Sequence, residues 1–169
     1  MAGEDRPSLS VQLRPAIAGD EEILLEIYAS TRADELAMIN WSETERNAFV
    51  RMQFAAQQDY YRSQYPRGDH KLILADGHPA GRLYTAENED EIRILDITVL
   101  PHLRGAGIGT PLITGVLSRA KDAGKPVRIY VETLNPSRRL FERLGFKMIE
   151  EDGLNVLLEC RPSPDRNTP

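Results

Sequence analysis

The chain has 169 residues, of which 41% are hydrophobic and 28% charged, with a formal net charge of −5. This is the length and composition of one globular domain, and no apolar run approaches the roughly 18 to 20 residues that span a bilayer, so neither a membrane span nor a second domain is expected. The acidic balance argues against a nucleic-acid partner, although Arg138, Arg139, Arg143 and Lys147 form a local basic cluster that reads either as a solvated helix face or as a phosphate contact.

The opening "MAGEDRPSLS" lacks the apolar core of a signal peptide, which predicts a cytoplasmic protein. Cys160 is the only cysteine, so no disulfide framework and no metal site are expected, and its apolar surroundings make it a buried thiol. Both ends are polar or proline-rich. This predicts a single domain over residues 10–161 between a flexible N-terminus, 1–9, and a flexible tail, 162–169.

In chain order, "VQLRPAI" predicts a first strand with Val11, Leu13 and Pro15 on one side. Asp20 then stands as an N-terminal cap before Ile23, Leu24, Ile27 and Tyr28, which share a helix face. Ser42 and Glu45 form a capping box, and Phe49, Met52, Ala56 and Tyr60 follow at helical spacing up to the Pro66-Arg67-Gly68 break. "HKLILADGHPAGRLYTA" reads as two strands joined at Asp76-Gly77, and "NEDEIRILDITVL" as a turn and another strand.

A glycine-rich segment, "LPHLRGAGIG", leads into a helix that ends near Ala123, stopped by Gly124 and Pro126. "VRIYVE" is the next strand, and "NPSRRLFERLG" a short helix with Leu140 and Leu144 on one side and Gly145 as its stop. "FKMIEE" and "LNVLLEC" close the chain as a hairpin around Asp152-Gly153. The predicted order is βααβββαβαββ.

The segment Leu100 to Gly109 places glycines at the junction of a strand and a helix expected to begin near Gly107. The first N–H groups of a helix have no internal partner and the dipole is positive there, so bare backbone at that point suits an anion such as phosphate, with Arg104 at the rim. A tight turn without a ligand is the plainer alternative. The Walker A loop is excluded because no lysine follows the glycines, and Gly105-x-Gly107-x-Gly109 has the wrong last spacing for the dinucleotide fingerprint.

Arg104-x-x-Gly107-x-Gly109 after a strand ending Val99-Leu100-Pro101, followed by the strand Ile129 to Val131 and by "NPSRRLFERLGF", resembles the GNAT superfamily of N-acetyltransferases. The resemblance covers nearly the whole predicted domain. It implies an α+β GNAT fold, with a mixed, mostly antiparallel central sheet of seven strands and helices on both faces. It also implies acetyl-CoA as cosubstrate. The backbone of Arg104, Gly105, Ala106, Gly107, Ile108, Gly109 and Thr110 would hold the pyrophosphate, and the strand end Ile97, Thr98 and Val99 would pair with the pantetheine amides. Asn135 would contact the pantetheine, with Arg138 and Phe141 lining the same channel. Asn135 equally suits a helix N-cap before Pro136.

Direct acetyl transfer to an amine needs a base and a proton for the departing thiolate. Asp96 is the expected base because it interrupts an apolar strand; Glu91, Glu132 and His102 are alternatives, and a structural pairing of Asp96 with Arg93 or Arg128 is the competing role. Many members of the family use a tyrosine as the acid where this chain has Phe141, so Tyr130, Tyr84 or water is expected to replace it.

The acceptor is expected over Ser30 to Tyr65, where Trp41, acidic residues, Tyr60 and Tyr61 suit a small molecule or peptide bearing an amine, although Phe49, Met52 and Tyr60 read equally as core. A non-catalytic acyl-CoA-binding module is the alternative function. The family's habit of dimerising adds a homodimer to the expectations.

Overall fold

A computed structural model describes residues 9–163. The chain forms β1 (Val11–Pro15), α1 (Glu21–Ser30), α2 (Ala33–Ala37), α3 (Glu43–Gln64), β2 (Asp69–Ala75), β3 (His78–Glu87), β4 (Ile92–Val99), α4 (Gly109–Ala123), β5 (Val127–Glu132), α5 (Arg138–Arg143), β6 (Lys147–Glu151) and β7 (Asn155–Cys160). The expected fraying of the two ends falls almost wholly outside the described residues. The order matches the sequence reading with one addition, the five-residue α2, which is too short to show a period and buries only Leu36.

Local chemistry explains the boundaries. Ser42 accepts the Glu45 N–H at 3.3 Å while the Glu45 carboxylate accepts the Ser42 N–H at 2.8 Å, so the capping box starts α3 as the spacing predicts. Asp76 (φ 49°) and Gly77 (φ 80°) both adopt the positive φ of a two-residue hairpin turn. Asp76 is held there by the Ser10 N–H, which donates to its side chain at 2.9 Å.

The seven strands form one sheet in the order β1-β2-β3-β4-β5-β7-β6, antiparallel except between β4 and β5. One face carries α4 and α5 over a core that includes Ile94, Ile113, Val116, Ile129 and Phe141; the other carries α1 and α3 over Leu24, Ile27, Val50, Phe54 and Leu72. Two-sided burial explains why the central strands read as apolar runs.

Two expectations need correction. The buried face of α3 is Val50 and Phe54, with Gln53, Gln57 and Tyr61 half-buried, whereas Met52 is 61% and Tyr60 57% exposed. Apolar residues lie on more than one side of this helix, and the sheet beneath it carries Arg82, Tyr84 and Asp96, so the side that packs is partly polar.

Asp20 precedes α1, but its side chain caps no helical N–H. It accepts two hydrogen bonds from Arg14, both at 2.7 Å, and one from the Ile17 N–H at 2.8 Å. Arg14 first, and then the Ile17 N–H, hold its carboxyl down at about 2, against an ordinary value of 3.8. A depressed carboxyl stabilises the fold above its unfolded-state pKa and loses that contribution as pH falls through the folded one. Asp20→Asn is therefore expected to lower the urea midpoint by a constant amount above pH 3.8, with the gap to the parent closing as pH falls toward about 2. A gap that does not change across this range rules the linkage out.

Candidate active site

The parallel pair β4 and β5 holds together only from Ile92 to Ile94, opposite Val127 to Ile129. At that point β4 has a bulge: Tyr84 faces Asp96 and Thr85 faces Ile94, which leaves Leu95 without a partner on β3. The hydroxyl of Tyr61, from α3, donates to the Leu95 carbonyl at 3.1 Å. Beyond the bulge the strands part, so the β5 side of Ile97, Thr98 and Val99 is a free strand edge. Arg104 Nε takes one of its carbonyls, that of Val99, at 3.0 Å.

This edge runs directly into the glycine segment. A 3-10 turn, Pro101–Leu103, is followed by Gly105 (φ 76°) and Gly107 (φ 82°), left-handed positions that turn the chain sharply ahead of the helix. Helix α4 begins at Gly109, two residues later than expected, because these left-handed glycines are incompatible with its first turn. Among the described residues the N–H groups from 105 to 110 have no main-chain acceptor, and Pro111 has no N–H to satisfy. Ile108 is buried, whereas Arg104, Gly105, Ala106, Gly107 and Thr110 are exposed. A Cβ on Gly109 would lie 2.8 Å from Leu140 Cδ2 of α5, so a larger residue there would push that side chain aside.

Under α3 lies a buried polar layer. Arg82 is completely buried and pairs with Asp96, and its Nη2 also donates to Gln57 at 2.5 Å. The other oxygen of Asp96 accepts the Thr98 hydroxyl at 2.7 Å. The structural partner of Asp96 is thus Arg82 and neither of the arginines expected from the sequence. Arg93 and Arg128 instead hold the buried Glu91, at 2.7 and 2.8 Å, and Arg128 also reaches Glu159 at 2.7 Å. Register explains the difference: Arg82 faces Thr98 across β3 and β4, one strand away from Asp96, a proximity that sequence separation hides.

Beside this pair, His70 stacks on Tyr84 with ring centroids 4.4 Å apart, and Tyr61 meets Tyr84 edge-on at 5.2 Å. Burial, and then the Arg82 charge, push His70 down to about 4, so it is neutral near pH 7. Burial, and then Asp96, push the Tyr61 phenol up.

Of the other predicted groups, Tyr130 projects from the splayed part of β5, 52% exposed, with the Arg93 guanidinium 5.1 Å over its ring. Tyr84 is buried, while His102 and Glu132 are exposed. Among the described residues no cluster of three or more His, Cys, Asp or Glu side chains is placed to hold a metal, and no helix is long and apolar enough to cross a membrane.

A splayed parallel pair thus feeds a bare, left-handed loop at a helix N-terminus. The profile of the acetyltransferase (GNAT) family matches residues 33–146. The chain belongs to the GNAT acetyltransferase family. Similar solved structures include the PaiA N-acetyltransferase from Thermoplasma acidophilum in complex with coenzyme A, with 19% identity, TM-score 0.69 and 90% of this chain aligned to 99% of that one. An acetyltransferase from Thermus thermophilus gives 18% identity and TM-score 0.64, with 91% and 98% coverage. Ard1 from Thermoplasma volcanium gives 19% identity and TM-score 0.61, with 89% and 97% coverage. At these identities they show the shared fold. No curated protein matches significantly.

In this GNAT chain the second motif is built differently from its sequence reading. Asn135 Oδ1 accepts the Ser137 N–H at 2.9 Å and its carbonyl accepts the Arg138 N–H at 3.1 Å, so it closes a turn, and α5 itself begins only at Arg138. Arg138 Nε is tied to Glu142 at 2.8 Å. Phe141 is 1% exposed and packs edge-on against Phe146 at 5.2 Å, so it belongs to the core beneath the cleft and does not line an open channel. The residues that sequence reasoning missed are Arg82 and Gln57. An arginine inside the apolar run "AGRLYTA" was the available signal for the first; only the packing of α3 reveals the second.

Proposed function

We propose that the protein is an acetyl-CoA-dependent N-acetyltransferase that moves an acetyl group directly to a primary amine. The observation that carries this reading is the run of N–H groups from 105 to 110, without an acceptor among the described residues, at the end of the free β4 edge. Donors of this kind at a helix N-terminus suit a pyrophosphate, and a free strand edge suits an amide-bearing chain lying along it. The residues present therefore fit coenzyme A: the N–H groups of Gly105 to Thr110 for the pyrophosphate, with Arg104 supplying only its side chain because its N–H is donated to the Pro101 carbonyl at 3.2 Å, Ile97 to Val99 for the pantetheine, and Asn135, whose amide NH2 has no partner among the described residues. The coenzyme A in the similar PaiA structure supports the same assignment. Acetyl-CoA supplies an activated thioester carbonyl.

Asp96 lies beside the splay with its charge held by Arg82, and in this reading it receives the proton that the amine sheds, directly or through water. Tyr130, on the same sheet face and largely open, donates a proton to the departing thiolate. The burial of Phe141 removes that position from proton transfer.

Thiol release from acetyl-CoA in the presence of an amine panel tests the function. Tyr130→Phe is expected to lower kcat by about 100-fold with the acetyl-CoA Kd unchanged; an unchanged kcat removes Tyr130 as the acid. Because Asp96 is already paired, an acyl-CoA-binding module without catalysis is the second reading. Tight coenzyme A binding with no thiol release on any amine would favour it.

A further inference from the structure

Helix α4 packs on β4 and β5, and between its other side and the strands β1, β2 and β3 a cavity of about 340 Å³ opens. Its floor is apolar. Leu83, Leu112 and Val116 are buried there, Val11 is half-buried and Leu13 is 39% exposed, so the apolar wall continues to the surface. The cavity shares no residue with the β4–β5 splay or with the loop 104–110.

Asp69, Lys71, Thr85 and Arg119 form its polar side. Lys71 Nζ lies 3.0 Å from Asp69, and Lys125 Nζ lies 2.7 Å from Glu87, so a lysine already holds each carboxylate. Arg119 is left with long ion contacts, 3.8 Å to Asp69 and 4.0 Å to Glu87. Among the described residues its guanidinium makes one hydrogen bond, from Nη2 to the Thr85 hydroxyl at 3.2 Å, and its enclosed Nε has no acceptor. These five side chains carry three positive charges and two negative, so one further anion balances them, and a guanidinium is matched to a carboxylate.

The cavity wall also contains Gly115, in the middle of α4 and four residues from both Pro111 and Arg119, so the three stand in one row along the helix. Glycine is unfavourable inside a helix, yet a Cβ at Gly115 would meet no atom within 4 Å, so packing does not require it. Its effect is to leave that side of the cavity open. We propose that the cavity is a second small-molecule site, for a monocarboxylate with an apolar body. The body lies against Leu13, Leu83 and Val116 beside Gly115, and the carboxylate meets Arg119, which Asp69 and Glu87 reach only at long range. The volume falls within the roughly 300 to 1,000 Å³ of small-molecule sites. The inference is independent of the acetyltransferase reading.

Octanoate is the probe, titrated calorimetrically into the protein in the presence of excess coenzyme A, and saturable binding at one site is expected. The uncharged analogue 1-octanol should bind about 10-fold more weakly. Arg119→Gln should weaken octanoate about 10-fold and leave octanol unchanged. Gly115→Leu, whose side chain occupies the cavity, should weaken both by about 10-fold or more, with the thermal midpoint not lowered because replacing a mid-helix glycine favours the helix. The coenzyme A Kd should be the same in both variants as in the parent.

No saturable octanoate binding overturns the proposal, and so does octanol that binds as tightly as octanoate. Octanoate affinity that survives either substitution overturns it as well. Should Gly115→Leu fail to fold, Arg119→Gln with the octanoate and octanol pair decides alone, since a charge-dependent loss at that one side chain is not expected of non-specific apolar binding.

Discussion

Replacing Asp96 by alanine is expected to lower the thermal midpoint by about 10 °C, because removing one partner of a buried ion pair costs about 3 to 5 kcal/mol and each kcal/mol moves a domain of this size by roughly 2 to 4 °C. Arg82 is completely buried, and Asp96 is its only carboxylate partner among the described residues. Its Nε and Nη1 already lack acceptors there, so loss of Asp96 leaves a charged group held by Gln57 alone. The double variant Arg82→Leu with Asp96→Ala should recover part of the loss, since removing both charges is less costly than stranding one. A single variant that melts with the parent would show that Arg82 needs no counter-charge.

The catalytic role of Asp96 needs a separate readout. Asp96→Asn, assayed at a temperature where its near-ultraviolet circular dichroism is native, is expected to lose about 100-fold in kcat together with the acidic limb of the pH–rate profile. An unchanged rate and profile would leave Asp96 as a structural partner of Arg82 only.

Gly107→Val should raise the coenzyme A Kd about 100-fold or more, while the thermal midpoint falls by only a few degrees, as expected of strain of about 1 to 3 kcal/mol at one loop position. Gly107 sits at φ 82°, where a β-branched side chain is strained, yet a Cβ there would meet no protein atom within 4 Å. Inside the protein the new side chain therefore disturbs little. Its effect falls on the unpaired N–H groups around it, which a phosphate must approach closely. Differential scanning fluorimetry with and without coenzyme A separates the two effects: equal stabilisation of variant and parent by the ligand would mean that this loop does not hold it.

What the sequence by itself determined about this protein is local. The capping box at Ser42, the Asp76-Gly77 and Asp152-Gly153 turns and the glycine stops at Gly124 and Gly145 all act within a few residues, and each stands where it was read. The apolar runs between them give the order of the elements, the resemblance of the glycine motif and of "NPSRRLFERLGF" implies the sheet and the family, and the glycine segment marks its own loop because positive φ favours glycine at Gly105 and Gly107.

Tertiary structure decided the contacts that depend on register and on which helix face meets the sheet. Arg82 reaches Asp96 because β3 and β4 pair with one extra residue at Leu95, and a shift of one residue would have turned Asp96 to the other face. Helix α3 turned Gln57 and Tyr61 inward and left Met52 and Tyr60 outside because the surface awaiting it was already polar.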